Sequence, residues 1–270
     1  MELNILVDNT TIDKRYSSEP GLSILIEDEN TKILFDTGNS DIFLKNAVKM
    51  GKDLTGLNYI VLSHNHIDHT GGIESLIEYY ADSKIDPFKK MSLVAHPEVC
   101  EAVYKKFKDP ALLSKASLSK FFHLKLSRKP QSLGPEFTFL GEIPRLNNFE
   151  SMPYGRRERR DESNLILDDS ALVYHSKNGL VIITGCSHAG ICNIIEYAKE
   201  VCDDHRVVDI IGGFHLLKPK MHQLEGTVSY FGKLKPEAVH ACHCTDLKSK
   251  KALSKVVNIK EVGAGFSISY

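Results

Sequence analysis

The sequence predicts a layered α/β fold, and three observations carry that prediction. Short apolar runs of strand character alternate with stretches of helical periodicity along most of the 270 residues, the pattern of sheets covered by helices. A hairpin pattern recurs at an offset of 148 positions. Ser23-Ile24-Leu25-Ile26 aligns with Ala171-Leu172-Val173-Tyr174, and Ile33-Leu34-Phe35 with Val181-Ile182-Ile183, each pair around a polar turn. Such repetition implies two ββ-plus-α halves, about 1–148 and 149–270, in one domain spanning 1–270. Finally, several strand-like runs stop at a histidine, and the ends of strands are where layered α/β folds place ligand and catalytic groups.

In chain order, residues 3–8 read as a first strand, and 22–27 with 32–36 as a hairpin around Asp28-Glu29-Asn30. Its second strand ends at Asp36-Thr37-Gly38, as the later copy ends at Thr184-Gly185-Cys186. The apolar run Tyr59-Ile60-Val61-Leu62 leads into LSHNHIDHTGG over 62–72, and Gly71-Gly72 releases the chain into a helix with Ile73, Leu76, Ile77 and Tyr80 on one face. That helix should stop near 83–87. Residues 91–95 form a buried strand that delivers His96, and Pro97 opens another helix through 107. Over 109–134 a short helix at 111–120 and an alternating strand at 121–126 suggest an insertion or cap near the active-site rim. The polar stretch 149–163, with Arg156, Arg157, Arg159 and Arg160, reads as a long loop. Strands are expected at 164–167, 171–175 and 180–184. A helix then carries Ile191, Ile194, Ile195, Ala198 and Val201 as its apolar stripe. Two more units follow, 207–211 ending at Gly212-Gly213-Phe214-His215 and 238–242 ending at His243.

Hydrophobic residues at 42% and charged residues at 26% describe a globular chain with a sizeable core. The formal net charge of −1 gives no general attraction to nucleic acid or an anionic membrane, so any anion must be held locally. The start, MELNILVDNT, lacks a basic region before a long apolar segment, and no apolar run approaches the ~20 residues of a membrane span. A cytoplasmic protein is expected, with its six cysteines reduced. A homo-oligomer is compatible with the sequence.

The chemistry concentrates in residues 62–72. His64, His66, Asp68 and His69 are the ligand types that suit zinc, iron or manganese rather than calcium. If the chain stays extended, the alternation of His64 and His66 sends both imidazoles to one side, and the turn at Asp68-His69 offers two further ligands. A solvated polar loop is the alternative. His188, His215 and His243 each follow an apolar strand, and His96 has the same placement. For each of these the alternative is an ordinary hydrogen-bonded histidine. Asp36 is a candidate acceptor for an imidazole N–H, which would set the tautomer of a ligand; an Asp-Thr-Gly turn also makes a local cap. Phosphate has two candidate holders, the N–H groups where a helix opens at Ala189-Gly190 and the guanidinium groups of Arg156 and Arg157. The run around those arginines also reads as a solvated loop. Cys242 and Cys244 alone are too few thiols for an iron-sulfur cluster.

H-x-H-x-D-H at a strand end followed by T-G-G resembles the signature loop of the metallo-β-lactamase superfamily. GEIPR at 141–145, TGCSHAGI at 184–191, IGGFHL at 211–216 and HACHCT at 240–245 resemble, within it, the branch named for 7,8-dihydropterin-6-methyl-4-(β-D-ribofuranosyl)aminobenzene 5'-phosphate synthase. The resemblance covers nearly the whole chain. It implies a four-layer αββα sandwich with one or two divalent transition metals, zinc, iron or manganese, at the sheet edges. Where the superfamily pattern has Gly-Asp, this chain has Gly185-Cys186, so the carboxylate that bridges two metals is replaced by a thiol or by His188. The implied ligand sets are His64, His66 and His188 for one ion and Asp68, His69 and His243 for another.

A bound dication lowers the pKa of its water from 15.7 toward about 7 and polarises the oxygen under attack, and Asp68, if not tied up as a ligand, would orient or deprotonate that water. The expected activity is hydrolysis of a phosphorylated small molecule by metal-bound hydroxide. One alternative is a transferase that condenses a dihydropterin with an aminobenzene ribofuranosyl phosphate. Another is a non-catalytic metal or thiol sensor using Cys186, Cys242 and Cys244.

Overall fold

The computed structural model describes residues 1–82, 91–102, 107–150 and 165–270. The chain divides into two units, Met1–Arg128 with Val262–Tyr270, and Lys129–Glu261.

The first unit holds a mixed sheet of β1 (Glu2–Val7), β2 (Ser23–Asp28), β3 (Thr31–Phe35), β4 (Tyr59–Val61), β5 (Ser92–Ala95), β6 (His123–Leu126) and the last strand, β13 (Ser267–Ser269). Their order is β13-β1-β2-β3-β4-β5-β6. Pairing is antiparallel from β13 to β3 and parallel from β3 to β6. The carboxyl ends of β3, β4 and β5 therefore lie on one edge, and Asp36, the 62–72 loop and His96 follow directly from them. Helices α1 (Ile42–Lys49) and α3 (Ile73–Asp82) lay Phe43, Ala47, Ile73, Leu76 and Tyr80 on Leu25, Leu34, Ile60 and Leu93 of the sheet. Each such buried side chain contributes about 1.5–3 kcal/mol. The short α2 (Ile67–Thr70) lies inside the histidine loop. At Gly72 a Cβ would come within 2.2 Å of the Thr37 carbonyl oxygen, so the loop can close against the turn after β3 only because that side chain is missing.

The second unit contains β7 (Gln131–Ser132), β8 (Phe137–Phe139), β9 (Ala171–Ser176), β10 (Gly179–Thr184), β11 (Val207–Gly213) and β12 (His240–Cys242), in the order β12-β11-β10-β9-β8-β7. Again an antiparallel hairpin, β9 and β10, gives way to parallel strands, β10 to β12. β9 starts and ends 148 positions after β2, so the repeat seen in the sequence is a repeat of connectivity. Every residue of β10 is buried, as befits a central strand covered on both faces. Helices α5 (Ile191–Cys202) and α6 (Met221–Leu234) bury Ile191, Ile194, Ile195, Ala198, Leu224 and Phe231 in one cluster with Val173, Ile182, Ile210 and Ala241. α7 (Leu247–Leu253) adds Leu253.

Several elements differ from expectation. The helix after His96 is a single 3-10 turn, Pro97–Glu101, followed by extended backbone at Ala102. Residues 165–168 form a bend and turn rather than a strand, and the Ile166 carbonyl accepts from Arg145 Nη2 at 2.5 Å. Within 109–134 the helix is only α4 (Lys115–Leu118), while β6 is the parallel edge strand of the first sheet and β7 the edge of the second. The expected helix end at 83–87 and the run containing Arg156 and Arg157 lie outside the described residues.

Candidate metal centre

In the first unit Asp36 organises the strand-end edge. It is fully buried and sits in the left-handed region at φ 56°, a conformation costing about 1–3 kcal/mol that surrounding contacts must offset. Its Oδ1 accepts from the Ser63 amide at 2.8 Å; its Oδ2 accepts from Ser63 Oγ at 2.7 Å and from His69 Nδ1 at 2.6 Å. Because the single hydroxyl proton of Ser63 points to Asp36, Ser63 Oγ accepts from His64 Nδ1 at 2.9 Å. The network thus assigns Nδ1–H to both His64 and His69 and leaves each Nε2 with its lone pair, the state a metal ligand requires.

The rings gather. His64 and His66 have centroids 4.6 Å apart, and His64 and His69 4.2 Å. Asp68 Oδ2 lies 3.8 Å from His69 Nε2, closer than the roughly 4.2 Å that two ligands about 2.1 Å from a shared ion can span. His64 and His69 are buried while His66 and Asp68 are half-buried, so a fixed base carries the more open donors. These residues fit a divalent ion by donor type, spacing and tautomer. His96 is fully buried and its Nδ1 accepts from the Glu98 amide at 3.2 Å, capping the 3-10 turn.

In the second unit, three parallel strands end in left-handed residues: Ser187 (φ 61°) after β10, His215 (φ 51°) after β11 and His243 (φ 49°) after β12. Ser187 Oγ donates to the Gly213 carbonyl at 2.6 Å, tying two of these ends together. The His188 and His215 rings have centroids 4.4 Å apart, and burial holds the His215 imidazole below its ordinary pKa. His243 Nε2 lies 3.2 Å from Cys186 Sγ. Cys244 Sγ accepts from the His215 amide at 3.3 Å and donates to the Cys186 carbonyl at 3.4 Å.

The helix opening after His188 is not available to a phosphate. The Ala189 amide donates to Asp169 Oδ2 at 2.8 Å, the Gly190 amide to the Ser187 carbonyl, and the amides of Cys192 and Asn193 to the Glu150 carboxylate at 2.9 and 3.2 Å. Two carboxylates of the chain already occupy the positive end of α5. Burial pushes the Asp169 carboxyl up to about 7 despite the amides of Ala189 and His188 and the Arg145 charge, and burial also raises Glu150. Neither acid was singled out by the sequence, nor were Ser63 and Gly213. The signal for Ser63 and Gly213 was their place inside a motif, Ser63 directly before His64 and Gly213 two residues before His215.

Two mixed sheets with helices, each presenting imidazole and carboxylate or thiol groups where its parallel strands end, define an α/β protein built around candidate metal ligands. The chain belongs to the metallo-beta-lactamase superfamily, whose profile matches residues 18–199. Over 95% of both chains it is 31% identical to the uncharacterized protein MJ0448 of Methanocaldococcus jannaschii. From the same organism, 7,8-dihydropterin-6-methyl-4-(beta-D-ribofuranosyl)-aminobenzene-5'-phosphate synthase is 29% identical over 255 residues, 87% of this chain and 84% of that protein. Among solved structures, Tm1679, described as a metal-dependent hydrolase of the beta-lactamase superfamily, is 30% identical with a TM-score of 0.80, covering 100% of this chain and 99% of its own. Unliganded yeast PDE1 shares the fold at 12% identity and a TM-score of 0.66, again over 100% and 99%. Among the described residues no helix is long and apolar enough to cross a membrane.

Proposed function

We propose that this chain is a metal-dependent hydrolase of phosphorylated small molecules. The observation that carries the reading is the Asp36 hub, which holds His64 and His69 as Nδ1–H tautomers beside His66 and Asp68. In this reading His64, His66 and His188 hold one divalent ion, and Asp68, His69 and His243 a second; zinc, iron and manganese all suit the donors. When bound, such an ion supplies positive charge that acidifies a water and polarises the oxygen under attack. Asp68, half-buried beside His69 Nε2, orients the water and takes its proton where it is not itself a ligand. Ser63 passes the pull of Asp36 to His64, and Arg156 and Arg157 meet the substrate phosphate.

The 30% identity to a protein described as a metal-dependent hydrolase supports hydrolysis. The 29% identity to a synthase supports a second reading, a transferase joining a dihydropterin to an aminobenzene ribofuranosyl phosphate. One experiment separates them. Chelator-stripped protein is reloaded with zinc, iron or manganese and given phosphate mono- and diesters, and in parallel the two synthase precursors. Hydrolysis with one substrate present, read as phosphate released from a monoester or alcohol released from a diester, supports the hydrolase. Condensation that needs both precursors, with no ester hydrolysed, supports the transferase and overturns the first reading.

A further inference from the structure

Cysteines 186 and 244 are distant in sequence, yet with His243 they bring three ligand atoms within 4.8 Å of one another. We infer that Cys186, His243 and Cys244 form a thiol–imidazole site, held wholly by the second unit, that selects a thiophilic divalent ion of the zinc class over manganese. This deepens the proposed function at the ion assigned to His243, where Cys186 and Cys244 take the places given there to Asp68 and His69, and it rests on that reading only in taking His243 as a ligand.

Four features of the fold converge on this trio. Neighbouring side chains of an extended strand point to opposite faces, so consecutive residues rarely share a ligand site. The left-handed backbone of His243 breaks that alternation and lets His243 and Cys244 contribute together. Gly213 makes room: a Cβ there would stand 2.5 Å from Cys244 Sγ and 2.6 Å from the Gly185 carbonyl oxygen. The His215 amide donates to Cys244 Sγ at 3.3 Å and fixes the place of that sulfur beside the end of β11. Finally, Cys186 Sγ already touches His243 Nε2 at 3.2 Å. With zinc about 2.3 Å from sulfur and about 2.0 Å from nitrogen, a sulfur and a nitrogen sharing it stand up to roughly 4.3 Å apart, so a rotation of the Cys244 side chain completes the set.

Selectivity follows from ligand softness. Two thiolates and an imidazole suit zinc, whereas manganese prefers carboxylate and water oxygen. On binding, both thiols lose their protons to solvent and Cys244 gives up its bond to the Cys186 carbonyl. No electron is transferred.

The test titrates the chelator-stripped, reduced full chain with cobalt(II), a zinc surrogate whose thiolate complexes absorb in the near ultraviolet. Wild type should develop the thiolate-to-cobalt band. Cys186→Ser and Cys244→Ser should each lower it by roughly half, one of two thiolates being removed. Zinc should abolish the band by competition, and manganese at the same concentration should leave it. His66→Ala should keep the full band, since the loop of the first unit takes no part. Circular dichroism confirms that the serine variants fold. A cobalt-loaded wild type without the band, or bands of equal strength in wild type and both serine variants, overturns the inference. Failure of the proposed hydrolase activity would leave the band intact, so the two outcomes are distinguishable.

Discussion

Replacing Asp36 by asparagine tests whether the chain presets its metal ligands. Asparagine has the same shape and tolerates the left-handed backbone at φ 56°, so the turn itself should survive. The wild-type carboxylate accepts three hydrogen bonds, from the Ser63 amide, Ser63 Oγ and His69 Nδ1. The amide has one acceptor oxygen. If that oxygen faces the Ser63 amide, the new NH2 faces His69 Nδ1, and the imidazole must move its proton to Nε2, the nitrogen on the Asp68 side. If the oxygen faces His69, a buried backbone N–H loses its partner at a cost of about 1–3 kcal/mol. The first arrangement keeps the backbone bond and is the expected one. Loss of such a supporting partner lowers metal affinity about 10- to 100-fold, or about 1.4–2.7 kcal/mol. Competition with a chromophoric chelator measures the affinity, and two-dimensional 15N–1H spectra of the imidazoles report the tautomer. Unchanged affinity with His69 still protonated at Nδ1 would refute the reasoning.

Other outcomes follow from the same contacts. His66→Ala removes a half-buried donor, so the ion assigned to His64 and His66 should be lost with the activity while the unfolding free energy moves by less than about 1 kcal/mol; a folded variant with full metal content and activity would show that the loop is not the site. Gly213→Ala should destabilise by about 1–3 kcal/mol, because the added methyl meets the Gly185 carbonyl as well as Cys244 Sγ, and chemical denaturation without a measurable change would contradict the close approach. Burial raises the Glu150 carboxyl above its usual 4.5. The folded chain therefore holds that proton more tightly, and the stability it contributes is complete below 4.5 and lost as pH rises through the raised value. Glu150→Gln, measured by urea unfolding, should give a flatter stability curve above pH 4.5, and a wild type that gains on the variant as pH rises would reverse the sign. If Arg156 and Arg157 grip phosphate, changing both to alanine should raise KM for a phosphorylated substrate about ten- to a hundredfold, from about 1.5–3 kcal/mol per charge-assisted bond, and leave a neutral substrate unaffected. An equal effect on both substrates would return them to a solvated role.

What the sequence determined by itself was local. The hairpins β2–β3 and β9–β10 were legible because alternation and a polar turn are written into a few consecutive residues. The 62–72 loop was legible because four ligand-type side chains lie within six positions behind an apolar run. Periodicity reports burial rather than conformation, however, and Leu165-Ile166-Leu167 deceived it. Asp168 and Asp169 bury beside them, and the Ile166 carbonyl turns to Arg145 instead of joining a ladder. Only the tertiary structure decided which groups meet. Asp36 reaches His69 across 33 positions, Glu150 fills the start of α5 across 42, and Cys244 reaches Cys186 across 58. Such partners share no local pattern. Asp36 and His69, like Cys186 and Cys244, meet because parallel strands must end on the same edge, and a crossover of many residues separates each strand end from the next.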